Sequence, residues 1–274
     1  MSDLEPLIEP LKKIAIEAGE AILQVYHSDG PIEVTNKADD SPVTRADHAA
    51  HIIIEKGLTA LSCEYPVLSE EGGLPPFSER SKWQRYWLVD PLDGTKEFIN
   101  KNGEFTVNIA LIDGDKAIMG IVYVPVTGAL YYGVDQLGAW KELDNSRKKL
   151  EVKPVSFEQS LSVVGSRRHG ADALDKLIES LEPKFDSVNL VSMGSSLKIC
   201  AIAEGEADWY PRLALTCEWD TAAAHAVLNA AGGKIINSEL STLTYNQKEE
   251  MLNPYFHALG DSTFDWESLI RGVI

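Results

Sequence analysis

Cysteine is scarce in this sequence: Cys63, Cys200 and Cys217 are the only three in 274 residues, odd in number, widely spaced and without a CxxC pair. That argues against a disulfide framework or a cysteine-built zinc site and suits a reducing compartment. Positive charge is scarce as well. Lys and Arg number 25 against 42 Asp and Glu, a formal net charge of −17, which argues against a nucleic-acid backbone or an anionic membrane surface as the main partner. No apolar run approaches the roughly 18 residues of a membrane-spanning helix. The opening "SDLEPLIEPLKKIAIEAGE" lacks the basic n-region and continuous apolar core of a secretory signal. There is no internal repeat and no low-complexity tract, so the expected location is the cytosol.

What is there reads as an ordinary globular chain, with 44% hydrophobic and 24% charged residues and enough length for one large or two ordinary domains. Leu4, Leu7, Ile8, Leu11, Ile14, Ala15, Ala18, Ile22 and Val25 recur at helical spacing, predicting an amphipathic helix over residues 4–27. A second helix is expected through "RADHAAHIIIEKGLTAL", capped by Ser41 or Thr44, with Asp47 in its first turn. Short β-branched and aromatic runs follow, "YPVLSEE", "RYWLVD", "FTVNIALIDGDKAIMGIVYVPV" and "GALYYGV". The "DGD" between two of them predicts a hairpin and an at least partly antiparallel sheet. The hydrophilic stretch 141–160 is the expected boundary between an N-terminal domain, 1–150, and a C-terminal one, 151–274. Beyond it, strand and helix patterns alternate as in an α/β unit, ending with a helix through "WDTAAAHAVLNAAGG" that Gly232 and Gly233 stop.

The chemistry is concentrated in acids at strand ends. "WLVDPLDGTKEF" runs an apolar strand into Asp90 and Asp93, with the Leu92 carbonyl between them. Two like charges so close repel unless one is protonated or a cation sits between them. "LSEEGG" ends another strand in Glu70 and Glu71, and "CEWDTAAAHAV" puts Glu218 and Asp220 at the start of a helix. Each has a plain structural reading: a turn cap for Asp90 and Asp93, a solvated turn for the glutamates, a dipole-favoured helix acid for Asp220. Together they form an oxygen-donor set that suits magnesium better than zinc or copper. An EF-hand is ruled out, since Leu92 and Gly94 stand where that loop needs acids.

The segments "SEE", "WLVDPLDGTKEFI" and "WDTAAAHAVLNAAGG" resemble the signatures of the inositol monophosphatase superfamily, lithium-sensitive, magnesium-dependent phosphomonoesterases. "NKADDSPVTRAD", "NGEFTVNIALID", "GSSLKICAIAEGEAD" and "YPR" extend the likeness over nearly the whole chain, and "DGTKEF" and "GSSLK" are similar to the 3′(2′),5′-bisphosphate nucleotidase branch. The resemblance implies an αβαβα sandwich and two or three Mg²⁺ ions. Glu70, Asp90 and the Leu92 carbonyl would hold the first; Asp90, Asp93 and Asp220 would hold the second. Thr95, polarised by Asp47, would orient the attacking water, and the amides of Gly94 and Thr95 would take phosphate. His169, Ser195, Lys198 and Arg212 would contact the nucleotide or its second phosphate, with Arg167 and Arg168 as alternatives to His169.

The implied reaction is hydrolysis of adenosine 3′,5′-bisphosphate to AMP and phosphate, disposing of a by-product of sulfate activation. An inositol-1-phosphate or fructose-1,6-bisphosphate phosphatase is the rival within the enzyme class. A non-catalytic nucleotide or lithium sensor would need a broken ligand set, and none of the expected acids is missing. Ala224 is a departure, standing where glycine is expected in the nucleotidase branch. Monomer and homodimer are both compatible with the resemblance. Peripheral association at the inner membrane face, which it also raises, is opposed by the charge of −17.

Overall fold

A computed structural model describes residues 3–28, 34–36, 42–165 and 171–273. The N-terminal apolar spacing closes into a 3-10 turn, Glu5–Leu7, and α1 (Ile8–Tyr26), which buries Leu11, Ile14, Ala15, Ala18 and Ile22. An antiparallel pair, β1 (Val34–Asn36) and β2 (Pro42–Thr44), leads into α2 (Arg45–Thr59). Thr44 is its cap, accepting from the Ala46 amide; Ser41, the other candidate, lies outside the described residues.

A seven-stranded sheet follows. Its segments are β3 (Val67–Ser69), α3 (Phe77–Arg80), β4 (Arg85–Asp93), α4 (Thr95–Ile99), β5 (Thr106–Asp113), β6 (Lys116–Val124), β7 (Ala129–Val134), β8 (Gly138–Leu143) and β9 (Ser146–Leu150). The strands lie in sequence order. β3 pairs parallel to β4 and every later pair is antiparallel, including the hairpin expected at Asp113–Asp115. The hydrophilic 141–160 stretch is not all connection. Lys141–Leu143 closes β8, and β9, "SRKKL", is the exposed edge of the sheet. Charge on an edge strand blocks pairing with other chains, which is why this one reads as a linker.

The second half supplies β10 (Ser160–Gly165), α5 (Ala171–Leu181), β11 (Ser187–Ser192), α6 (Leu197–Ala203), β12 (Trp209–Arg212), α7 (Glu218–Ala230), β13 (Lys234–Asn237), β14 (Phe256–Leu259) and α8 (Trp266–Arg271). Its five-stranded sheet has the order β11-β10-β12-β14-β13, parallel at the first pairs and antiparallel at the last. Five layers result, as an αβαβα sandwich requires. α1 and α2 cover one face of the large sheet, α6 and α7 fill the space between the sheets, and α5 and α8 close the far face of the small one.

The middle layer is held close by two glycines that face each other across β6 and β7, Gly120 and Gly133. A Cβ on Gly120 would lie 2.1 Å from the Ala223 carbonyl oxygen, and one on Gly133 would lie 2.5 Å from Val227 Cα. The backbone of α7 therefore rests on the sheet itself. The facing side of the helix is correspondingly small, Ala222, Ala223 and Ala226, all buried. Ala224 also fits, buried in the same core. Gly120→Ala must lift α7, because backbone cannot yield as a side-chain tip would. Overpacking of this kind costs about 1–3 kcal/mol, and urea unfolding of the variant should show a loss of that size.

Candidate active site

Strand parity aims the acids of β4. Trp87 and Val89 pack towards α1 and α2, while Tyr86 and Leu88 pack towards α6 and α7. Alternation then sends Asp90, which is 2% exposed, to the α7 side. Continued alternation would turn Asp93 away from it. A bulge between Asp90 and Asp93 inserts one residue against β5, where Asp90 pairs with Asn108 and Asp93 with Thr106. Leu92 drops into the α1–α2 core, and Asp93 returns to the same face as Asp90. Pro91 is tolerated at such a bulge because its missing N–H falls where the ladder is already broken. The sequence suggested a strand ending at the acids; the strand instead carries both of them.

Helix N-termini bring in two more carboxylates, each by the same device. Asp47 is the third residue of α2, and its Oδ2 accepts from the Thr44 amide (2.8 Å) and hydroxyl (2.7 Å) in a capping box. Its Oδ1 accepts from the Thr95 hydroxyl at 3.3 Å. Asp220 is the third residue of α7, with Oδ2 accepting from the Cys217 amide at 2.9 Å. In both, one oxygen is spent on the cap, which leaves the other for the site. Gly94, in left-handed geometry at φ 93°, makes the turn from β4 into α4. A Cβ there would sit 3.2 Å from the Glu104 carbonyl and 3.4 Å from Ser195 Cβ, so this corner takes glycine only.

These acids feel one another. Burial first, then the charges of Glu70, Asp93 and Asp220, hold the Asp90 carboxyl well above its ordinary range. Asp220 is raised by burial and by Asp93 and Glu70. Asp93 is raised by burial, against the opposing pull of Lys198 and of the Ser196 amide, which donates to its Oδ2 at 2.6 Å. Carboxylates gathered where burial and mutual repulsion disfavour their charge are a setting that a hard cation relieves. Among the described residues no three His, Cys, Asp or Glu side chains stand together so as to hold a metal ion by themselves. Mg²⁺ does not ask for such a set, since it is held by one or two carboxylates with water and phosphate oxygens completing its shell. The oxygen-only donor set fits that ion.

The other wall of the site belongs to the second half. Asp93, Gly94, Ser195, Lys198, Arg212 and Asp220 line one cleft of about 150 Å³ between the sheets. Ser195 has φ 42° and a buried hydroxyl without a protein partner among the described residues, a strained, orphaned donor of the kind found at ligand sites. Lys198, 7% exposed, gives hydrogen bonds to the carbonyls of Ser195 (2.7 Å) and Met193 (3.4 Å), which leaves one of its three N–H bonds. Burial lowers it to about 8, with Asp93 resisting and Arg212 adding to the fall. Arg212 is anchored through Nε on the Ala214 carbonyl and Nη2 on that of Leu215, beside the Tyr210 hydroxyl. His169, with Arg167 and Arg168, lies outside the described residues.

Several neighbours were not legible beforehand. Glu104 accepts from the Gly194 amide at 2.7 Å and lines the cleft with Glu97, Tyr210 and Thr216. Asn108 stands cross-strand from Asp90, and its carbonyl oxygen accepts from the Ser196 hydroxyl at 3.0 Å. Only Asn108 carried a signal, as a polar residue at an inward position of an apolar strand. Glu218 is buried too; it accepts from the Asn246 amide at 2.8 Å, and burial pushes it up to about 7.

As a class, carboxylates gathered for a hard cation beside a lysine and arginine wall fit a cation-assisted phosphatase on an αβαβα sandwich. The chain belongs to the inositol monophosphatase family, whose family model matches residues 3–262. Curated relatives named 3′(2′),5′-bisphosphate nucleotidase CysQ include those of Salmonella typhimurium, 48% identical, and Escherichia coli K12, 47% identical. Both align over 250 residues, 91% of this chain and 98% of theirs. Among solved structures, CysQ from Bacteroides thetaiotaomicron, a bacterial member of the inositol monophosphatase family, superposes with a TM-score of 0.80 at 39% identity, covering 94% of this chain and 99% of that one. Members of the family are generally metal-dependent.

The raised acids set a pH dependence for the metal-free protein. Folding raises the Asp90 pKa, so the native state binds the proton more tightly, and stability declines as pH climbs from about 4 towards the raised value. Asp90→Asn removes that loss. Urea unfolding in EDTA should find the variant more stable than the wild type at pH 7.5, the advantage vanishing near pH 4.

Proposed function

We propose that this protein is a magnesium-dependent 3′(2′),5′-bisphosphate nucleotidase that hydrolyses adenosine 3′,5′-bisphosphate to AMP and phosphate. The observation that carries the reading is the placement of Asp93. It shares one face of β4 with Asp90, and its Oδ2 is bonded to the amide of Ser196, inside the loop whose carbonyls hold Lys198. Cation site and anion wall are thereby fixed at one distance. Curated relatives over nine-tenths of the chain carry the same activity in their names.

Glu70, Asp90, the Leu92 carbonyl, Asp93 and Asp220 would hold the ions, and bound Mg²⁺ supplies charge neutralisation at the phosphoryl oxygens and a more acidic water. The chain's own residues do the rest. Thr95 donates its hydroxyl hydrogen bond to Asp47 Oδ1, so its oxygen lone pairs would be left to accept from the attacking water and orient it. The water oxygen bonds to phosphorus as the bond to the ribose 3′-oxygen breaks, and that oxygen takes up a proton as AMP leaves. Gly94 brings backbone close to the phosphate corner. Ser195, Lys198 and Arg212 would take the second phosphate, the feature that separates a nucleotide bisphosphate from inositol 1-phosphate. We place the activity in the cytosol, with sulfur metabolism as its setting; no described helix is long and apolar enough to cross a membrane.

Phosphate release from adenosine 3′,5′-bisphosphate, inositol 1-phosphate and fructose 1,6-bisphosphate, with Mg²⁺ and then with added Li⁺, tests this. The nucleotide should be preferred and its turnover suppressed by lithium; preference for inositol phosphate would overturn the substrate assignment. Lys198→Ala should raise KM for the bisphosphate roughly ten- to a hundredfold, the worth of a hydrogen bond to a charged group, and affect simple phosphomonoesters less. Equal losses on both would remove Lys198 from specificity.

A further inference from the structure

We infer that His51 is a positioning residue for the Glu70–Glu71 turn and thereby sets the affinity of the site for Mg²⁺. The inference rests on the metal reading of Glu70 given above. His51 lies one helical turn beyond Asp47, so α2 presents both to the same side. Asp47 reaches Thr95, whereas His51 reaches the other flank of the acid cluster. Its Nδ1 is 3.0 Å from the hydroxyl of Ser69, the last residue of β3 and the one immediately before Glu70.

Ser69 is the pivot of that turn. Its carbonyl accepts from the Gly72 amide at 3.1 Å, while the Glu70 amide donates to Val89, the residue before Asp90, at 3.1 Å. Those two backbone bonds set the path of the chain. The His51–Ser69 contact adds a side-chain tether from a different element, and the ring also packs on the far side of the turn: a Cβ on Gly72 would lie 3.1 Å from His51 Cε1. The His51 side chain is 13% exposed and Ser69 4%, so the tether is screened from water. The second ring nitrogen stands 3.9 Å from Glu55 Oε2, one turn further along α2, steadying the ring from behind. Glu70 must come up to Asp90 against the repulsion of like charges, and a turn free to swing would relieve that repulsion by moving away. Outer contacts that orient a ligating carboxylate are typically worth ten- to a hundredfold in metal affinity.

Titration calorimetry of Mg²⁺ into the substrate-free protein is the test. His51→Ala should weaken binding roughly tenfold and raise the Mg²⁺ concentration for half-maximal activity to match, with KM for the nucleotide at saturating Mg²⁺ within about twofold. His51→Asn, whose amide nitrogen falls near Nδ1, should recover most of the affinity. Ser69→Ala removes the other end of the tether and should reproduce the His51→Ala loss, which keeps the test available should that variant fail to fold. Wild-type Mg²⁺ affinity in a less stable His51→Ala or Ser69→Ala protein would make the contact merely structural and overturn the proposal. No Mg²⁺ binding by the wild type would instead overturn the metal reading on which it rests.

Discussion

Four carboxylates, those of Glu70, Asp90, Asp93 and Asp220, repel one another in a place where burial already disfavours their charge. Left alone, such groups separate or take up protons. The rest of the structure can be understood as the means of holding them together until a cation makes the arrangement favourable. No single element could do so. Asp90 and Asp93 share a strand, but only the bulge puts them on one face. Asp220 arrives on a helix from the other half, and Glu70 in the turn that follows a neighbouring strand. Repulsion is thereby distributed over rigid elements that cannot relax it cheaply.

The docking of α7 decides whether the two halves form one site. The glycine seam brings the helix backbone onto the large sheet, and a buried arginine fixes the start of the helix. Arg80, 0% exposed at the end of α3, bonds Asn246 and the carbonyls of Lys248 and Glu249. Asn246 returns a bond to the Arg80 carbonyl at 2.8 Å, and its amide donates to Glu218, two residues from Asp220. The same loop takes the Glu218 amide on the Met251 carbonyl. A contact more than 160 residues apart in sequence thus aligns the first turn of α7. Seam and latch act at opposite ends, so the helix has neither room to slide nor freedom to tilt.

The parts of this arrangement legible in the sequence are those that local chemistry dictates. Apolar spacing gave α1 and α2, because a helix must bury one stripe. The acids at Asp90, Asp93 and Asp220 stood out because charge after an apolar run is costly. What escaped depends on partners distant in sequence. The bulge has no signature beyond Pro91, and the inward turn of Asp93 follows only from its register with Thr106. β9 reads as a linker because an edge strand is protected by the same charges that mark a loop. Gly120 and Gly133 look like ordinary strand glycines until α7 is placed on them. Glu104 and His51 meet Gly194 and Ser69, which are distant in sequence, and neither has a local reason to be polar.

Asp93 joins the two functions of the cleft. Its charge raises Lys198 against burial and against Arg212, which pull it down, and the amide of Ser196 ties it to the loop that carries Ser195. Lys198 therefore keeps its proton near neutral pH only in the company of anions. A cation that takes up the charge of Asp93 withdraws part of that support, and an anion arriving in the cleft restores it. Electrostatics alone then makes the anion wall most receptive to a ligand with a phosphate near Lys198 once the acids are neutralised.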